Sequence, residues 1–256
     1  MRGPTAILVG LTTLLAVPAV AACAVDPYQF SPYPESLVQD QSGAKPSRAW
    51  YDDSSTIYDH FVLGRYHEPT LLYLQPAIRD ETLCGSAMMA GDGHVFEDIA
   101  PRLADLTGDG WNEVIVVRSN VTSGAQLAVY SVVDGRIPMI AATAPLGRHR
   151  WLAPAGIADF DGDGRIEIAY VDRPHLRKDL VFVRLDGDRL VETLRLPGLT
   201  NHRIGDDFIS GGVRDCGQGP ELVLASADWS RLMRVRGGVA EDIGPMPAGG
   251  LTVPPC

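Results

Sequence analysis

Apolar positions in this chain come in short runs rich in Val, Ile, Leu and Ala, cut by clusters of Asp, Gly, Pro and Asn. One block places strands at 102–106, 113–118, 126–132 and 137–144. The same four-strand pattern returns at 156–160, 167–172, 180–185 and 190–196, and again at 211–215, 221–225, 231–235 and 239–243. Between the third and fourth strands of each block stand Asp134-Gly135, Gly187-Asp188 and Gly237-Gly238, the residue pairs that two-residue hairpins require. A weaker first block reads 59–63, 70–74, 82–88 and 94–96, with a turn at 64–69 that lacks the acids of the later blocks. The turns after the first strands of the later blocks begin at Asp105, Asp159 and Asp215, 54 and 56 residues apart. A four-stranded sheet cannot bury both faces alone, and stacking such sheets radially covers them. The expected fold is all-β, a small β-propeller of about four four-stranded antiparallel blades, with an open repeat array or a β-sandwich as the alternative.

Two of these turns carry chemistry. Asp159-Phe160-Asp161-Gly162-Asp163-Gly164-Arg165-Ile166-Glu167 offers side-chain oxygens at positions one, three, five and nine and the Arg165 carbonyl at seven. Asp105, Thr107, Asp109 and Glu113, with the Trp111 carbonyl, repeat the spacing one period earlier. Oxygens so spaced, with glycines to turn the backbone between them, suit a hard cation such as Ca²⁺. The helix-flanked twelve-residue calcium loop is excluded, because the twelfth positions are Tyr170 and Val116 and the flanks read as strands. The alternative is a pair of Asp/Gly turns that bond only their own backbone. In the third turn, Asp215 to Glu221 is shorter and lacks the middle acids, so it is expected to turn the chain without metal.

Composition narrows the class. The 256 residues include 27 Gly and 19 Pro, as suits a turn-rich single domain, and the net charge of −10 argues against nucleic acid as a partner. Residues 1–21 read as a signal peptide, with Arg2, an apolar core at 6–17 and Ala19-Val20-Ala21 for cleavage. The protein is therefore expected to be exported, periplasmic or extracellular. The alternative is a lipoprotein anchored at Cys23, since Val20-Ala21-Ala22-Cys23 resembles a lipoprotein box. No transmembrane span is expected beyond the N-terminus. Residues 22–49, rich in Pro, Ser and Gln, read as an extended leader, and 50–256 as the repeat domain. Of the four cysteines, Cys84 and Cys216 are expected to pair, because closure of the array would bring the first and last units together; Cys256 is left free.

The loops and their strands resemble FG-GAP/VCBS repeats, the units of integrin-α-type propellers and of many bacterial surface proteins, whose pattern is Asp-x-Asp/Asn-x-Asp-Gly-x-x-Asp. Asp159, Asp161, Asp163 and Gly164 match in place; Glu167 stands where the family has Asp, and Thr107 departs at the third position. The Phe-Gly and Gly-Ala-Pro signatures of the family are not recognisable. The resemblance implies an exported propeller with structural calcium and no particular activity.

On a propeller the calcium turns share one face. The other collects the second-to-third-strand turns and the links between blades. Here those segments supply Arg118, Arg150, Trp151, Asp172, Arg173, His175, Asn201, His202, Arg203, Asp207 and Asp228 as candidate ligand contacts, for an anionic, glycan or protein ligand. No nucleophile elbow or separated carboxylate pair is present. The expected function is a calcium-binding binding or adhesion module, more an interaction protein than an enzyme. The alternative is a propeller hydrolase or lyase working from this second face.

Overall fold

The computed structural model describes residues 26–75, 85–134 and 136–256, and builds them into four antiparallel sheets. The first has β1 (Val38–Gln39), β2 (Arg48–Ser55), β3 (Glu68–Gln75) and β4 (Ser86–Met89) in sequence order. The second has β5 (His94–Phe96) and β6 (Arg102–Ala104) both paired to β7 (Glu113–Asn120), then β8 (Gly124–Tyr130) and β9 (Met139–Ala142). In the third, β10 (Leu152–Ala158), β11 (Glu167–Asp172), β12 (Asp179–Asp186) and β13 (Arg189–Pro197) follow one another. The fourth repeats the split inner strand: β14 (Leu199–Thr200) and β15 (Gly212–Asp215) both pair with β16 (Pro220–Ser226), followed by β17 (Arg231–Arg236) and β18 (Val239–Pro245).

The small propeller-like fold expected from the repeats is thus present. Among the described residues no strand is shared between the first and last sheets, so the ring is not closed by a strand exchange. Three apolar layers join the four sheets in series. Tyr51, Leu72, Phe96 and Val116 pack between sheets one and two, Ile115, Leu127, Ile168 and Val181 between two and three, and Ala169, Phe182, Leu222 and Leu224 between three and four. Both faces of the middle sheets are thereby buried, which explains their nearly continuous apolar strands. Val38 of β1, Arg102 of β6, Pro154 of β10 and Ile209 of the link between β14 and β15 border one groove of about 350 Å³. No helix of the described residues is long and apolar enough to cross a membrane.

Sheets three and four approach closely where β10 bulges between Pro154 and Gly156. A Cβ built on Gly156 would stand 2.2 Å from Val213 Cγ2 and 2.9 Å from Leu222 Cδ2. Substitution Gly156→Ala is expected to lower stability by about 1–3 kcal/mol through overpacking, read as a drop in the urea midpoint at unchanged slope.

Four expectations are corrected here. The ordered sheet does not begin at residue 50: β1 and the start of β2 lie in the stretch read as an extended leader, where Tyr33, Ser36 and Ala49 are buried. That stretch is held by side-chain and packing contacts that leave no strand alternation in the sequence. Residues 59–63 are not a strand; they belong to the 56–67 loop between β2 and β3, and their apolar character is spent on burying Leu63 against Ile115 and Trp151. Residues 94–96, placed with the first unit, instead form the inner edge of the second.

The fourth correction concerns the disulfide. Cys216 is bonded to Cys256, not to Cys84, which lies outside the described residues. After β18 the chain folds back over the fourth sheet, where Leu251 packs with Val223 and Ala225 and Arg214 donates to the Pro254 carbonyl, 2.8 Å. That return covers the end of the array and delivers Cys256 to the 215–220 turn.

Candidate functional site

The Asp-rich turns and the Arg/His-rich segments lie at opposite ends of the strands. In the third sheet Ala158 pairs with Glu167 beside the 159–166 turn, while Leu152 pairs with Asp172 six residues away, next to Trp151 and Arg173. The first sheet keeps the same sense, but β1 is its first strand, so its strands are counted one step earlier than the sequence reading set them. Asn112 donates from its backbone and side-chain amides to the carbonyls of Lys45 and Pro46 (2.7 and 3.0 Å), which places the start of β2 beside the first Asp turn. Arg118 at the far end of β7 reaches the Ala90 carbonyl (2.7 Å), next to the start of β3. The 56–67 loop therefore joins the Arg/His end.

At the Asp-rich end the two turns share a backbone scheme and differ in one oxygen. Asp105 accepts from the amides of Gly108, Asp109 and Gly110, and Asp159 from those of Gly162 and Gly164. Glu113 and Glu167 each accept from the amide seven residues back across the turn, Leu106 and Phe160, at 2.9 Å. Their second oxygens diverge. Glu113 Oε1 accepts from the Ser131 hydroxyl at 3.0 Å, whereas Glu167 Oε1 is buried with no hydrogen-bond partner. Asp159, Asp161 and Glu167 present oxygens that all lie within 4.8 Å of one another. Burial, with the negative charges of Asp161 and Asp163, holds the Glu167 carboxyl above its ordinary range.

Across the β11–β12 ladder from Glu167 stands Arg184. Its Nη1 lies 2.5 Å from Asp163, 3.6 Å from Glu167 and 3.9 Å from Asp161. Asp163 thus faces this guanidinium, and Asp109 accepts from the Trp111 amide at 2.8 Å. In the fourth sheet the matching acid, Glu221, accepts from Arg214 Nε at 2.7 Å, with Arg234 and Arg236 each 3.8 Å away, so cations from the chain itself surround it.

At the other end the candidate residues separate into two groups. Asp172 is gripped by Arg173 (2.7 and 3.0 Å) and Arg195 (3.2 Å). Asn201 Nδ2 donates to the Ala153 and Pro154 carbonyls, Asp228 accepts from Ser226 and Ser230 within its own turn, and buried Trp151 donates to the Glu97 carbonyl at 2.8 Å. These, with Arg118, tie segments together. Asp207 is exposed on the 201–211 link and does not line the cleft described next.

Arg150, Arg173 and His175 do meet, in a small cleft of about 30 Å³ that His60, His149 and Trp151 also line. Beside it, His202 and Arg203 border a shallower hollow with Lys178 and Trp229, the Arg203 guanidinium lying 4.2 Å from the indole centroid. His202 Nε2 donates to the Asp206 carbonyl (3.1 Å), so His175 Nε2 is the donor in the 2.8 Å contact to His202 Nδ1. Burial and the neighbouring His202 push His175 down to about 4, leaving it neutral near pH 7.

His60, His149 and Glu97 were outside the sequence-derived set. Glu97 is fully buried, accepts from Ser119 Oγ at 2.6 Å and takes His60 Nδ1 at 2.5 Å; His149 Nε2 meets Asp59 at 2.7 Å, and the His60 and His149 rings stack at 5.3 Å. The available signal was an adjacent acid pair, Glu97-Asp98, in an otherwise apolar link. His60 carried none, because its loop becomes the second-to-third-strand turn of the first sheet, and so joins this end, only once β1 is counted as a strand.

Fold and turns together define a propeller-type repeat protein. Residues 105–170, which span both Asp-rich turns, match a family model described as FG-GAP-like repeat, so the chain carries an FG-GAP-like repeat over that stretch. Comparison with curated proteins gave no match.

Proposed function

We propose that the protein is an exported, propeller-type binding module in which the 159–167 turn holds one structural calcium ion and the Arg/His end receives the ligand. The observation that carries the calcium reading is the Glu167 oxygen: buried, without a hydrogen-bond donor, and grouped with Asp159 and Asp161. A buried carboxylate oxygen left unpaired is costly, and a cation bound beside it removes the cost. Asp159, Asp161 and Glu167 would supply the carboxylates and the Arg165 carbonyl a further oxygen. When bound, the ion neutralises clustered acids and braces the turn that joins β10 to β11 in the third sheet. The 105–113 turn is a weaker candidate, because Ser131 already satisfies Glu113 and Thr107 contributes no charge.

Calcium is expected to raise the melting temperature and the chelator EGTA to lower it. Asp161→Ala should abolish that difference, whereas Thr107→Ala should leave it. A melting curve indifferent to both calcium and EGTA sinks the proposal.

A module that binds at its Arg/His end is favoured over an enzyme by the way most polar groups there are committed to one another. Asp172, Asn201 and Asp228 all have internal partners, and no serine or cysteine nucleophile lines the small cleft.

A further inference from the structure

The cleft at the Arg/His end is lined by a single sign of charge. Its side chains are His60, His149, His175, Arg150 and Arg173 against Trp151, and no acid is among them. The acids stand behind. Glu97 holds one nitrogen of His60, Asp59 holds one of His149, and Asp172 clamps Arg173 from two atoms. Each carboxylate fixes the orientation of its partner, and His60 Nε2 and His149 Nδ1 carry no hydrogen bond among the described residues. Such backing is how a protein presents oriented donors to an anion without closing the site with its own counter-ion. A space of about 30 Å³ suits one tetrahedral group and is too small for a sugar ring.

Protonation decides the sign of the two stacked imidazoles. A neutral ring that gives its N–H to a carboxylate offers only a lone pair to the cleft, which repels an anion. A second proton turns that edge into a charged donor. The groups facing the pair are Tyr58, Asp59 and Glu97 on one side and Arg148, Arg150, Arg173 and His175 on the other. Tyr58, held well above its ordinary range by burial, stays neutral. We infer that this cleft binds one tetrahedral oxyanion, the sulfate or phosphate group of a larger ligand, and takes up protons on His60 and His149 as it does so.

The inference rests on reading the Arg/His end as the ligand end, and the test separates the two. Inorganic sulfate is the probe, because it stays a dianion between pH 5 and 8, so any pH dependence belongs to the protein. Titration of the full chain, followed by histidine ¹⁵N shifts, is expected to saturate and to be about tenfold tighter at pH 6 than at pH 8. Arg150→Gln, at an exposed position, and His149→Gln should each weaken binding about tenfold while the near-UV spectrum and melting temperature hold. Methyl phosphate run beside methyl sulfate tells which ester the cleft accepts. Shifts that rise linearly, or a titration unaltered by both substitutions or by pH, overturn the inference. If sulfate fails but a neutral glycan binds in a manner sensitive to Arg150→Gln, the oxyanion is wrong and the ligand end stands. If neither binds, both readings fall.

Discussion

Replacing Arg184 by Gln is expected to tighten the calcium binding proposed for the 159–167 turn by about tenfold. The guanidinium lies 3.6–3.9 Å from Glu167 and Asp161, two of the three grouped carboxylates, and forms an ion pair with Asp163. A unit cation at that distance from carboxylates whose charge a divalent ion must use competes with it directly. The metal has to displace Arg184 from the acids or bind beside its positive charge; either lowers affinity. Gln keeps much of the side chain's length and packing on β12 without the charge, and it frees Asp163 to serve as a further oxygen. Terbium luminescence or calorimetry on wild type, Arg184→Gln and Asp161→Ala reads the effect: tighter in the first variant, lost in the second. Equal or weaker affinity in Arg184→Gln would show that the arginine assists the site, for instance by ordering Asp163. Because exposed ion pairs are screened, the gain should shrink in high salt.

The second large effect is a pH dependence centred on Glu68. This carboxyl is fully buried at the start of β3, and neither oxygen has a hydrogen-bond partner. Burial first, and then the negative charge of Glu97, raise it to about 8, against a smaller opposing effect of Arg65. The folded state therefore keeps the proton over a range in which the unfolded chain has lost it. The sign follows: the unfolded state binds fewer protons between the ordinary carboxyl range and about pH 8, so stability falls as pH rises through that window. Full ionisation would cost on the order of 4–5 kcal/mol, an upper figure because water reaching the charge would reduce it. Glu68→Gln should flatten the urea-midpoint profile between pH 5 and 8 and leave the variant more stable than wild type at pH 8. Glu97, Glu113 and Glu167 are also raised by burial, so the wild-type slope includes them, and the difference between the two proteins isolates Glu68. Parallel profiles for the two would place the charge of Glu68 in contact with solvent.

Glu68 also marks the limit of reading by repeats. Glutamates open an inner strand in sheets one, two and three, as Glu68 of β3, Glu113 of β7 and Glu167 of β11, and one stands at the second residue of β16 in sheet four, Glu221. Their environments differ completely. Glu113 is answered by a serine and a backbone amide, Glu221 by arginines, Glu167 by one amide and a distant guanidinium, and Glu68 by nothing. The partner in each case comes from another strand or another sheet, at a sequence separation that no local motif encodes.

What the sequence by itself determined is the local and periodic part. β-branched runs, Gly-containing hairpin pairs and Asp/Gly turns specify strands and their connections through backbone sterics and hydrogen bonds between near neighbours, and their recurrence implies stacked sheets. That reasoning places sheets two to four and both Asp-rich turns where the structure has them. The tertiary structure alone decided the rest: the place of β1 as first strand of the first sheet, the pairing of Cys216 with Cys256, the choice between Ser131 and Arg184 opposite two equivalent glutamates, and the meeting of His60 with Glu97 and His149. Each depends on which distant segments packing brings together. Burial rewards apolar area and satisfied polar atoms, not sequence spacing, so residues far apart in the chain acquire their chemistry only once the sheets have stacked.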